Sequence, residues 1–166
     1  MKIRTLFFLS ALCMALVLTG LWPVTPQAAT QMPSFALESV HDGKIIESDS
    51  FRGKVLLLTF FATLCPPCAE EVPVLVKLQD ELSKAGFSVV GLSVDQQGAA
   101  IVAEFAEKRA INYPVLLAEP QTTEDFGGVY GIPVAFLVNK SGNVVKKYTG
   151  YVQHELLERD IRSLLN

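Results

Sequence analysis

Two cysteines separated by two prolines, Cys65-Pro66-Pro67-Cys68, are the residues of this chain best placed to do chemistry. They follow an apolar run, Lys54 to Phe61, and precede a segment whose apolar residues recur at helical spacing. Positions i and i+3 at a helix start can bring two Cα atoms within the roughly 4.4–6.8 Å that a disulfide requires. A helix N-terminus favours negative charge, so the first thiol, Cys65, is the one expected to ionise and attack. Cys68, one turn inside, is the resolving thiol. Pro66 and Pro67 are tolerated because the first helical N–H groups have no intrahelical partner to lose. They also remove two donors that could have held a Cys65 thiolate. So short a disulfide loop constrains little chain entropy, so the pair serves redox chemistry rather than stapling.

The chain has 166 residues, half of them apolar, which is one domain's worth of core. Lys2 and Arg4 precede an uncharged run from Leu6 to Trp22, followed by Ala28-Ala29. Residues 1–29 therefore read as an export signal or a retained N-terminal membrane anchor, with the domain occupying 30–166. Cys13 lies within that run and is read as a passive apolar residue. Without the leader, 12 basic residues face 17 acidic ones, a net charge of −5. A nucleic-acid partner is excluded on that balance.

The rest of the pattern supplies what must position the cysteines. A small hairpin is expected around His41-Asp42-Gly43. Strands are expected at 54–61, 87–94, 114–117, 134–138 and 144–148, with helices at 69–85, 98–110 and 152–165 and a loop over 119–132. That alternation predicts an α/β fold, a central mixed sheet with helices on both faces. A zinc site is not expected, since no second Cys or His pair follows at ligand spacing. His41 and His154 read as surface residues. A non-enzymatic copper carrier using Cys65, Cys68 and His154 is the alternative from a different class.

Four segments, in order, carry a resemblance: Phe51-Arg52-Gly53-Lys54-Val55, Phe60 to Cys68, Glu71-Val72-Pro73, and Gly128-Val129-Tyr130-Gly131-Ile132-Pro133. Through them, residues 33–165 resemble the TlpA/ResA-like extracytoplasmic thiol-disulfide oxidoreductases of bacteria, members of the thioredoxin superfamily. The resemblance implies a thioredoxin-like fold and no cofactor beyond the redox-active disulfide. It makes Pro133 a cis-proline whose neighbourhood, with Ile132, Leu64, Pro66 and Pro67, contacts substrate. It makes Glu71 the acid that manages protons on the thiols. It also implies a location in the periplasm or at the outer face of the cytoplasmic membrane, a membrane thiol donor, exported disulfide-bearing clients and, on less, apocytochrome c. A protein-disulfide oxidase or isomerase of the same fold is the alternative within that chemistry. A peroxidase is disfavoured, because Leu58 and Ala62 stand where Pro-x-x-x-Thr-x-x-Cys is required. Leu64 stands where the family usually has Trp, Thr59 where cytoplasmic thioredoxins keep a buried Asp, and Val134 where Thr is common.

Overall fold

A computed structural model describes residues 30–166; the leader expected at 1–29 lies outside them. Six strands form one mixed sheet and two form a hairpin. In chain order they are β1 (Thr30–Gln31), β2 (Ala36–Glu38), β3 (Ile45–Glu47), β4 (Val55–Phe61), β5 (Phe87–Ser93), β6 (Val115–Leu117), β7 (Val134–Val138) and β8 (Asn143–Thr149). The helices are α1 (Pro66–Leu82), α2 (Ala99–Lys108), α3 (Pro120–Asp125) and α4 (His154–Leu165). The large sheet runs β1-β8-β7-β4-β5-β6, and β2 pairs with β3 as the expected hairpin.

Every residue of β4 and β5 is buried, which is why both read as near-continuous apolar runs. β4 pairs parallel with β5 and antiparallel with β7, placing it in the middle of the sheet. Its side chains alternate between two cores. Val55, Leu57 and Phe61 join one that also holds Leu75 and Leu78 of α1, Val102 of α2 and Ile161 of α4. Leu56, Leu58 and Phe60 join the other, with Phe35, Leu37, Phe51, Phe126 and Phe136. Three helices cover the first face; the hairpin and the chain around short α3 cover the second. Gly91 in β5 suits this packing, since a Cβ there would stand 3.1 Å from the Phe61 ring, which would have to give way by a few tenths of an ångström.

Two expectations are corrected and one strand is added. The loop over 119–132 contains α3, because Pro120 opens a helical turn and the Thr122 hydroxyl accepts the Glu119 N–H at 3.3 Å. The first long helix starts at Pro66 and ends at Leu82, its expected last turn being a 3₁₀ turn over Ser83–Ala85 that stops at Gly86, φ 91°. Two-residue β1 was too short to leave a period, and it pairs with β8 through Thr30 and Gln31. No helix among the described residues is long and apolar enough to cross a membrane.

Candidate functional site

Cys65 and Cys68 are disulfide-bonded, with Cα atoms 5.3 Å apart. Cys65 has extended backbone and is the N-cap of α1; its sulfur accepts the Cys68 N–H at 3.3 Å. It thus takes the place of the Ser or Asp oxygen that usually caps a helix. Cys65 is half-buried, whereas Cys68 is 3 % exposed and packed into the α1 face of the core. Only the first sulfur can meet an incoming disulfide.

The turn carrying Cys65 is held by Asp95, a residue that sequence reasoning did not single out. Its carboxylate accepts from the Thr63 N–H at 2.9 Å, from the Thr63 hydroxyl at 2.7 Å and from the Ser93 hydroxyl at 2.8 Å. The signal was present in the pairing of two parallel strands. Phe61 lies level with Ser93, so two residues further along each chain Thr63 and Asp95 come opposite one another.

Pro73 lies inside α1 and has no N–H to donate to the Ala69 carbonyl one turn earlier. Arg109, just past α2, donates its Nη1 to that carbonyl at 2.9 Å while its guanidinium lies 4.9 Å over the Phe105 ring. The proline-interrupted helix is thereby satisfied from a neighbouring helix, close to the cysteines. Arg109 too was missed; the proline in the expected helix was the clue that some donor had to be supplied.

The Ile132–Pro133 bond is cis, and the Ile132 carbonyl oxygen lies 3.9 Å from Cys65 Sγ. Gly127 and Gly128, with φ of 82° and 78°, turn the chain into this segment, and the Pro133 carbonyl accepts the Gly150 N–H at 2.8 Å. Pro133 itself is buried, while Leu64 is 77 % and Tyr130 98 % exposed. Pro66 and Pro67 are also exposed. The structure therefore gathers Cys65, Cys68 and Ile132–Pro133 at one point, with Leu64, Pro66 and Pro67 on the adjoining surface.

Glu71, one turn beyond Cys68 on α1, is 3 % exposed. Its Oε1 accepts the Val152 N–H at 3.1 Å. Burial pushes its carboxyl up to about 7, the Val152 hydrogen bond opposing only part of that rise. Burial, and secondarily the Glu71 charge, also push the Tyr113 hydroxyl up. Thr59, on the sheet face turned toward α1, is buried with a hydroxyl that has no partner among the described residues. His154 is not with the cysteines. It opens α4, its Nε2 lies 3.3 Å from Glu158, and its neighbours with ligand-type side chains are Glu81 and Glu158. The three-ligand arrangement of a Cys65–Cys68–His154 carrier is not what the structure assembles.

The sequence and the fold are similar to those of known proteins. The Redoxin family model matches residues 27–165. The thiol-disulfide oxidoreductase ResA of Bacillus subtilis is 32 % identical over 125 residues, covering 75 % of this chain and 69 % of that one. ResA of Halalkalibacterium halodurans is 28 % identical over 132 residues, covering 80 % and 74 %. The crystal structure of a thioredoxin-family thiol:disulfide interchange protein from Chlorobium tepidum superposes with a TM-score of 0.78 at 34 % identity, covering 86 % of this chain and all of that one. The chain belongs to the redoxin family and is a TlpA/ResA-like thiol-disulfide oxidoreductase of the thioredoxin superfamily.

Proposed function

We propose that the protein works outside the cytoplasm as a protein-disulfide reductase. The observation that carries this reading is the asymmetry of the pair: a half-buried Cys65 beside an exposed apolar rim, and a buried Cys68 one turn from a buried carboxyl. In the dithiol form the Cys65 thiolate attacks one sulfur of a client disulfide. A Cys65–client bond forms and the other client sulfur leaves as a thiolate, which takes up a proton. Cys68 gives its proton to the Glu71 carboxylate, which at about 7 is poised to receive it. The Cys68 thiolate then attacks Cys65 Sγ, expelling the second client thiolate, which is protonated in turn. The client has gained two electrons and two protons, and the protein holds the Cys65–Cys68 disulfide.

A membrane dithiol donor then restores the reduced form by the same exchange in reverse. The clients on this reading are exported proteins carrying disulfides, with apocytochrome c among them as the resemblance to the TlpA/ResA-like family implies. Residues 1–29 carry the chain out of the cytoplasm, and the work is done in the periplasm or at the outer face of the membrane. Leu64, Pro66, Pro67 and Ile132 form the client-facing rim, and buried Pro133 serves it through the cis bond that sets the Ile132 carbonyl beside Cys65.

Replacing the resolving thiol tests this directly. Cys68→Ser leaves the first attack intact and removes the second, so mixed disulfides through Cys65 accumulate. Exported clients recovered on Cys65 and released by reductant support the reading. A variant that captures no client under these conditions contradicts it.

A further inference from the structure

At the end of β4 opposite the cysteines, a cleft of about 590 Å³ opens between the start of β4, the 3₁₀ turn before it and the β7–β8 turn. β4 is seven residues long, so its two ends are about 20 Å apart. Arg52, Lys54 and Lys140 line the cleft together with a single acid, Asp49, which pairs with Arg52 at 3.0 Å. Lys140 spends a hydrogen bond on the Leu165 carbonyl, an uncharged acceptor, at 2.7 Å. Among the described residues neither Lys54 nor Lys140 has an acidic partner. The cleft thus has a local excess of positive charge on a domain whose residues carry a net −5. Ser48 and Ser141 add hydroxyls that suit an oxyanion.

The start of the described chain lies on the same rim. Gln31 and Met32 line the cleft; the Gln31 amide donates to the Gly142 carbonyl at 2.9 Å, and Met32 N–H to the same oxygen at 2.9 Å. Trp22, the last residue of the apolar run, is eight residues before Thr30. Even fully extended, that segment spans at most about 28 Å. A leader left in the bilayer therefore keeps this cleft within about 28 Å of the headgroups, nearer to them along the chain than the cysteines at the far end of β4.

We infer that the basic cleft is a docking site for the phosphate of an anionic phospholipid, which seats the domain on the membrane with the dithiol facing away from it. This rests on the reading that residues 1–29 are retained as an anchor. Lys54 and Lys140 each strengthen attraction to an anionic surface by roughly fivefold. With the domain seated, the dithiol stands above the headgroups by about the length of β4, so a membrane donor must present its own thiol outside the bilayer.

The test uses the full chain in nanodiscs of zwitterionic lipid or of zwitterionic lipid with 30 % phosphatidylglycerol, followed by hydrogen–deuterium exchange. The expected result is co-elution with both discs, and slowed exchange over residues 48–56 and 138–143 only in the anionic ones. K54E/K140E removes that protection, as does raising salt from 0.1 to 1 M, which shortens the screening length from about 10 to about 3 Å. Reductase turnover on a small disulfide is unchanged in the variant. Co-elution with identical exchange in both discs overturns the docking site and leaves the anchor standing. Failure to co-elute overturns the anchor, and the docking site with it. Equal protection by inorganic phosphate in zwitterionic discs overturns the lipid as occupant in favour of a soluble oxyanion.

Discussion

The two faces of the sheet share the same strands and differ in what they bury. On the face of Phe60, Phe126 and Phe136 the core is built on edge-on and tilted rings whose centroids are 5.1–6.0 Å apart, and the buried Ser88 hydroxyl on that face is satisfied by the Val89 carbonyl at 3.1 Å. On the face of α1, α2 and α4 the core also encloses Cys68, Tyr113 and Tyr148, with Glu71 and the unpaired Thr59 hydroxyl beside it. One face is there to hold the strands still. The other accepts titratable groups and an unpaired hydroxyl at a cost in stability, because a thiol pair must gain and lose protons there. Changes to the two faces should therefore fail in different ways.

The largest effect lies at the boundary of the second face with solvent. Cys65→Ser removes the one thiol of the pair that a client can reach, and dithiol-dependent reduction of a protein disulfide should fall to the uncatalysed background while the fold survives. An insulin-reduction assay with circular dichroism on the same sample reads both. On the apolar face, Phe136→Ala should lower unfolding free energy by about 3–5 kcal/mol. The reduction potential of the surviving folded protein should not change. A shifted potential would mean that the two faces are not separate in function.

Glu71→Gln keeps the acceptor for the Val152 N–H and removes the titration. Glu71 ordinarily titrates at 4.5, and burial raises it to about 7 in the folded protein. Below 4.5 both folded and unfolded states hold the proton; between 4.5 and about 7 only the folded state does. Stability from this group is therefore present at low pH and lost as pH rises through that window, by about 3 kcal/mol. Urea unfolding from pH 4.5 to 8 should show this loss in the parent chain and not in the variant. The variant should also lose the rise in resolving-step rate near pH 7.

The smallest effect belongs to Thr59. Val at this position has nearly the same shape and no hydroxyl to leave unpaired, so Thr59→Val should stabilise the protein by about 1 kcal/mol. Destabilisation would show that the hydroxyl has a partner after all, and that the α1 face is wetter than its packing suggests.

These contrasts were unevenly legible in the amino-acid sequence. The buried strands β4 and β5, the hairpin and the dithiol at a helix start were readable because each leaves a local period or spacing. The assignment of β4 residues to one face or the other was not, since a run apolar on both sides carries no alternation. The Asp95 clamp on Thr63 and the Arg109 hydrogen bond to Ala69 join residues 32 and 40 positions apart, and only the folded pairing brings them together. Glu71 sat at a position that any helix would accept for an acid in its first turns. Its burial, and hence its raised titration, comes from the segment before α4 folding across it at Val152. Short α3 was hidden in a stretch of turn-forming residues whose capping pair, Glu119 and Thr122, becomes visible only as a hydrogen bond.

The reducing direction of the exchange is the central claim, and the equilibrium potential of Cys65–Cys68 tests it most directly. The leaderless protein contains no tryptophan, so the redox state is best read by alkylation and intact mass across a series of thiol/disulfide buffers. A potential near that of thioredoxin, about −270 mV, is expected of a reductase fed from the membrane. A potential near −120 mV would contradict it and make the protein an oxidase.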